Sequence, residues 1–310
     1  MIKSQFTLKQ LEAFAFVVDT GTFRAAAAAL GTTQPNISAR ISALEQALGT
    51  TVLTRDAGSV RLTAKGATLL ERARDVLWAG EALIEEAGRQ DLIEERLRLG
   101  VTELVACTWL RDFLRRLKDA YPKLRVELQV DLSTVIDQRL AEGQLDLALQ
   151  TGPFDKDSFT SMPLGEESYC WIAHPQLLRA LGPNPSLEHL FAHTILTHAK
   201  HTQAGRALHA VAQDRGLDNG QIVHSSALSA CVPMVLEGLG VALLPDALVR
   251  AELASGELGV LHSDWLPDPL SFVARFAADR APRFVGQAAG LAQLAMQQSQ
   301  HQKNLSDQEI

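Results

Sequence analysis

The sequence predicts a chain in three parts: an N-terminal all-α winged helix-turn-helix, a long linker helix, and a two-lobed α/β domain. Three observations predict it. Over 8–62, apolar residues recur at helical spacing in three runs, with a tight turn between the second and third, and two short extended pieces follow. Over 63–88 apolar and small residues repeat in steps of four and three, the seam of a two-helix coiled coil. From 91 onward strand and helix patterns alternate, and βαβ order implies a parallel sheet.

The elements follow in order. Thr7 and Gln10 have the spacing of a capping box, and Leu8, Leu11, Phe14, Ala15 and Val18 give the first helix one buried face. Thr20-Gly21 ends it, and Thr22 caps a second helix over 23–30, whose run from Ala25 to Ala29 permits close helix contact. Gly31 stops that helix. A third starts at Thr32-Thr33-Gln34-Pro35, with proline where its missing N–H costs nothing. Ile37, Ile41, Leu44 and Leu48 form its core side, leaving Asn36, Ser38, Ala39 and Arg40 on the outer N-terminal surface. Extended pieces over 51–54 and 59–62, joined by Asp56-Ala57-Gly58, read as a wing.

The linker helix opens at Thr63 and carries two stripes. Leu69, Ala73, Val76, Gly80, Leu83 and Ala87 form a dimer seam, and Leu70, Leu77 and Ile84 lie beside it. Beyond it, strands are predicted over 97–101, 124–130 and 146–150, with helices over 109–120 and 133–142. A second set has strands over 169–173, 194–197, 222–224 and 241–244, and helices over 205–216 and 227–238. A strand over 270–276 and a helix from Phe284 return to the first set. The resulting division is 1–62 for the winged helix-turn-helix, 63–90 for the linker, 91–165 with 268–296 for lobe I, and 166–267 for lobe II. Residues 297–310 form a polar tail expected to be disordered.

Composition narrows the class. The chain of 310 residues is 46% hydrophobic and 21% charged, as in a globular protein of more than one domain. Its net charge is −7, yet residues 1–62 hold six basic side chains against four acidic ones, a basic head on an acidic body. The start lacks the apolar core of a signal peptide and no run is long enough to span a bilayer, so a cytoplasmic protein with no membrane partner is expected. Cys107, Cys170 and Cys231 are isolated and read as buried small hydrophobes. His189, His193, His198 and His201 cluster in sequence, but without a zincin glutamate or a nearby cysteine they read as surface histidines. No nucleophile elbow, Walker loop or dinucleotide fingerprint is present, so no enzyme and no cofactor is expected.

Residues 8–66 closely resemble the N-terminal signature of LysR-type transcriptional regulators. The resemblance rests on Gly21-Thr22-Phe23, the alanines before Leu30, Gln34-Pro35, Ser38, Leu44-Glu45, Leu48-Gly49, and Leu62-Thr63 with Gly66. It departs at Val52-Leu53, where leucine-phenylalanine is usual, and at Ala39, where arginine is frequent and Arg40 follows instead. It continues through Leu99-Gly100, Tyr121-Pro122, Leu145-Asp146 and 237–245, which are similar to the family's effector-binding domain, a fold like that of periplasmic solute receptors. The resemblance implies a DNA-binding regulator acting as a homodimer or homotetramer on double-stranded DNA, in contact with RNA polymerase if it activates, and controlled by a small-molecule effector. A redox- or metal-sensing regulator of the same architecture is the alternative.

Chemistry suggests roles. At the N-terminal end of a recognition helix Gln34 can pair with adenine, Arg40 with guanine, Ser38 with base or phosphate, and Pro35 can pack on a thymine methyl. Asn36 shares that surface, and Thr22, Thr33, Arg55 and Arg61 suit phosphate contacts. The plainer role for Gln34 and Ser38 is helix capping. Ligands of α/β domains lie outside strand ends, which selects Thr102, Glu103, Ser133 and Thr134 in lobe I. Thr197, His198 and Ser225 hold comparable positions in lobe II, and Gln150-Thr151 marks a hinge leaving lobe I. The serines and threonines have capping as their plainer role. Glu103 in such a place favours a cationic or zwitterionic effector.

Overall fold

The computed structural model describes residues 5–56, 59–152, 154, 159–218, 221–279 and 281–306. The head consists of α1 (Leu8–Thr20), α2 (Phe23–Ala29), α3 (Gln34–Leu48) and the antiparallel hairpin β1 (Leu53–Asp56) and β2 (Ser59–Leu62). Its core is Leu11, Phe14, Val17, Ile37, Ile41, Leu44 and Val52, closed from below by Leu70 and Ala73 of α4 (Ala64–Glu86). The local signals act as read. The Gln10 carboxamide accepts the Thr7 N–H at 2.8 Å, and the Thr22 and Thr63 hydroxyls accept the Ala25 and Gly66 N–H groups at 3.1 and 2.8 Å. Gly66 is required by crowding, since a Cβ there would lie 2.1 Å from the Val52 carbonyl oxygen. Glu45 joins α3 to the hairpin by accepting the Val52 and Leu53 N–H groups at 2.9 and 3.3 Å. The turn at Ala57-Gly58 lies outside the described residues.

Lobe I holds β3 (Arg96–Val101), α5 (Glu103–Cys107), α6 (Leu110–Ala120), β4 (Arg125–Val130), α7 (Ser133–Ala141), β5 (Leu147–Thr151) and β6 (Thr160–Glu167). Lobe II holds β7 (Tyr169–Ala173), α8 (Pro175–Leu181), α9 (Leu187–Phe191), β8 (Ile195–His198), α10 (Gln203–Asp214), β9 (Ile222–Ser225), α11 (Cys231–Leu236), β10 (Val241–Pro245), α12 (Arg250–Ser255) and β11 (Gly259–Leu261). The chain then returns to lobe I through β12 (Leu270–Phe276) and α13 (Arg283–Ser306). Each lobe has a five-stranded sheet, in the orders β4-β3-β5-β12-β6 and β11-β7-β10-β8-β9. Strands β3, β4 and β5 pair in parallel, as do β8, β9 and β10, whereas the strands carrying the crossovers run antiparallel. One core cluster with Leu99, Phe113, Trp171, Leu208 and Phe272 runs through both lobes, and smaller ones lie about Leu196 and Val235 in lobe II and about Ile136 and Leu145 in lobe I.

Two expectations need correction. The chain does not leave lobe I at Gln150-Thr151. It forms β6 first and crosses at Ser168, between β6 and β7. The β6 strand was hidden because Pro163, Gly165 and Glu166 break the alternating pattern. Such residues are tolerated here because β6 is an edge strand whose register shifts opposite Phe272 and Val273. The polar C-terminal stretch is also helical through Ser306, not disordered. Arg116 binds Gln298, Arg250 donates to the Ser299 carbonyl at 3.1 Å, and Gln300 donates to the Glu166 carbonyl at 2.5 Å. Polar residues on a helix can be held by side chains from neighbouring elements, which composition does not reveal.

Candidate DNA interface and ligand cavity

The end of α3 presents a polar surface. Thr33, Gln34, Pro35 and Asn36 are exposed, while Ser38 and Arg40 are half-buried. Thr33 is the N-cap residue but its side chain makes no cap hydrogen bond, and Asn36 donates to the Thr32 hydroxyl at 3.2 Å. The buried side of the same helix (Ile37, Ile41, Leu44) fixes its orientation against α1. Thr22 spends its acceptor on Ala25, which leaves the hydroxyl proton for an outside partner. Arg61 is exposed on β2, opposite Thr54. Arg55 lies on β1, opposite Val60.

The α4 helix connects this head to the lobes. Arg74 pairs with Asp19 of α1 at 2.5 Å. Farther along, Trp78 donates its indole N–H to the Ala281 carbonyl at 3.1 Å, and Glu81 accepts the Arg283 N–H at 2.5 Å. Arg283 also reaches Glu85 at 3.3 Å. Leu77 and Ile84 pack on the chain's own cores, yet Val76 is 43% and Leu83 72% exposed. A hollow of about 660 Å³ between head, α4 and lobe I is lined by Glu12, Glu81, Glu95 and Asp146, among others. Burial pushes both Glu81 and Glu95 up to about 7, with neighbouring carboxylates adding to the shift.

Between the lobes lies a cavity of about 730 Å³. Thr102, Glu103, Ser133, Thr134, Thr151 and His198 line it. Thr197, Ser225 and Gln150 do not. Thr197 is fully buried and donates to the Leu243 carbonyl at 3.2 Å. Ser225 closes a turn on itself, donating to the Ala227 carbonyl at 2.6 Å, and the wall is made by Ser226. Gln150 is buried behind the wall and donates to Asp137 at 3.1 Å. Ser133 caps nothing, because Leu132 is the N-cap residue; its hydroxyl lies 3.3 Å from that of Thr151.

Asp137, Phe154, Tyr169 and Arg206 also line the cavity and were missed. One signal for part of this was present: Arg275 interrupts an apolar strand. It is completely buried, bonded to Asp137, and lies 4.2 Å from the centre of the Phe154 ring. Cys107 is exposed rather than buried, because it falls at the end of the short α5; Cys170 is half-buried and Cys231 buried. Burial and the charge of Glu103 hold the Cys107 and Cys231 thiols above their ordinary value. Burial lowers His198. Among the described residues, no group of three or more His, Cys, Asp or Glu side chains could hold a metal ion, and no helix is long and apolar enough to cross a membrane.

Residues 8–67 match the family described as bacterial regulatory helix-turn-helix protein, lysR family, and residues 90–286 match the LysR substrate binding domain. A probable hydrogen peroxide-inducible genes activator of Streptomyces viridosporus is 33% identical over 93% of this chain and 94% of its own. Among solved structures, a full-length OxyR from Pseudomonas aeruginosa is similar in fold, with TM-score 0.58, 21% identity and 94% of each chain covered. A full-length LysG from Corynebacterium glutamicum with bound effector Arg is similar in the same way, with TM-score 0.56, 19% identity, and 94% of this chain and 99% of that one covered.

Proposed function

We propose that this chain, which belongs to the LysR family of bacterial transcriptional regulators, reads DNA with the exposed end of α3 and senses a small molecule in the cavity between its lobes. It is a DNA-binding transcription regulator with an effector-binding domain. The observation that carries the finer reading is the division of labour along α3. Its apolar side completes the head core, while Gln34, Pro35 and Asn36 stand exposed at the end that would enter the major groove. Gln34 and Arg40 supply base pairing, Ser38 and Asn36 add polar contacts, and Pro35 meets a thymine methyl. Thr22, Thr33, Arg55 and Arg61 hold phosphates and so set the register.

Two exposed apolar side chains on α4, Val76 and Leu83, support pairing with a second copy, and a two-fold protein suits paired half-sites. The assembly is a homodimer or a tetramer of two such pairs. It works in the cytoplasm, and it touches RNA polymerase where it activates. No catalytic chemistry and no cofactor is required: the effector shifts the lobes, and the contacts of Trp78 and Glu81 pass the shift to α4 and the DNA-binding heads. Peroxide sensing, the role in the name of the Streptomyces relative, is the weaker reading. Peroxide reacts with thiolates, and Cys107 and Cys231 are both held towards the thiol form.

Fluorescence anisotropy with a DNA fragment bound by the full chain tests this reading. Gln34→Ala and Arg40→Ala are each expected to reduce discrimination by about 1–3 kcal/mol while leaving salt-dependent nonspecific binding. Unchanged discrimination in both variants would contradict it.

A further inference from the structure

The charge of the cavity wall narrows what the cavity can take. Among the described residues, its charged side chains are Glu103, Asp131, Asp137 and Arg206. Asp137 is neutralised by the buried Arg275 and also accepts from Gln150. Arg206 is exposed and donates to the His201 carbonyl at 2.8 Å. Asp131 accepts the Leu132 N–H at 2.9 Å and approaches Arg139 only to 3.9 Å.

Glu103 is different, because it reaches from lobe I across the cleft to lobe II. One carboxylate oxygen accepts the Leu228 N–H at 2.6 Å. The other accepts the Ser229 N–H at 3.2 Å and the Ser229 hydroxyl at 2.5 Å. These three donors form the kind of cradle that would seize a carboxylate ligand, and the protein's own carboxylate already fills it. A second carboxylate arriving there would meet both a lack of donors and a like charge. The nearby groups are suited to receiving donors. Burial lowers His198 and so favours the imidazole form, in which one ring nitrogen has a lone pair to offer. The Thr102 hydroxyl, buried with no hydrogen-bond partner, can accept from such a donor as well as give its own proton. Phe154 and Tyr169 give the wall apolar surface.

Resting on the reading that this cavity holds the effector, we propose that the effector carries a positively charged nitrogen, as a small amine or guanidine does, and that Glu103 selects for it and against carboxylates. An ammonium brings three donors and no acceptors, which matches the lone pairs left on Glu103, Asp131 and His198. The cation docks on a side chain that already bridges the lobes, so its binding favours the closed arrangement of the cleft.

The test uses the full-length chain and two ligand sets of similar length, read by thermal shift and calorimetry. The amines are 1,4-diaminobutane, 1,5-diaminopentane and agmatine; the acids are succinate and 2-oxoglutarate. At least one amine is expected to raise the melting temperature, the acids are not, and Glu103→Gln should weaken the amine by at least about tenfold. Ser229→Ala removes one donor from the latch without touching its charge and should leave amine binding within about threefold, which separates loss of charge from loosening of the lobes. Stabilisation by the acids, strengthened in Glu103→Gln, overturns the assignment, as does the absence of any effect from all three amines. A hit of either class that survives Thr134→Trp, which fills the exposed rim of the cavity, overturns instead the placement of the effector between the lobes.

Discussion

The α3 face and the inter-lobe cavity are built in opposite ways. The face is a short run, 34–40, on one helix whose other side is locked into a small core. The cavity takes Glu103 from the start of α5, Thr151 from the end of β5 and Ser226 from beyond β9, so it exists only once both sheets have formed and met. A DNA reader has to be rigid and convex, which one well-anchored helix achieves. A sensor has to have two bodies that can move, so its wall is drawn from distant parts of the chain. The two sites share no residue, and α4 with its docking contacts is what joins them.

That separation can be broken from either side. The largest effect is expected from Leu44→Ala, since Leu44 is fully buried in the head core and its truncation should cost about 2–5 kcal/mol. DNA binding should be lost while a cavity ligand still stabilises the lobes in calorimetry. Simultaneous loss of both would mean the head and lobes fold as one unit.

The joint itself should respond to pH. Glu95 is pushed from 4.5 up to about 7, chiefly by burial, so the folded chain keeps a proton that the unfolded chain releases. The stabilisation is therefore fully present below about pH 4.5 and is lost as pH rises through 7. Glu95→Gln should flatten that slope and stabilise the chain at pH 8 by about 1–3 kcal/mol in denaturant unfolding. An unchanged slope would remove Glu95 from the joint.

Smaller effects are expected on the face. Gln34→Ala should cost about 1–3 kcal/mol on the preferred site and little elsewhere. Arg61→Ala, at the proposed phosphate contact, should weaken all sequences alike and reduce the salt slope of binding by about 1. A sequence-dependent loss in Arg61→Ala would make the wing a base reader instead.

The same contrast explains what could be read from the sequence. The head was legible nearly residue by residue because its signals are local: Thr7 with Gln10, Thr22 before α2 and Pro35 early in α3. The succession of parallel strands was legible too, since strand and helix patterns alternate along the chain. What escaped depends on tertiary partners. The β6 strand is polar and interrupted because it lies at an edge, and the end of α13 is held by Arg116 and Arg250 from other elements. Thr197 and Ser225 sat at plausible strand ends but turn inward to backbone carbonyls. The Glu103 latch spans a separation of 125 residues, and no local pattern announces it.

The measurement that bears most directly on DNA reading by α3 is selection of binding sites from a pool of randomised duplexes with the purified full chain. The expected product is an inverted repeat with half-sites about one helical turn, or a multiple of it, apart. Gln34→Ala and Arg40→Ala should each lose the preference at one position in both half-sites and keep the rest. Recovery of no motif by the unaltered chain, or of the same complete motif by both variants, would contradict the assignment.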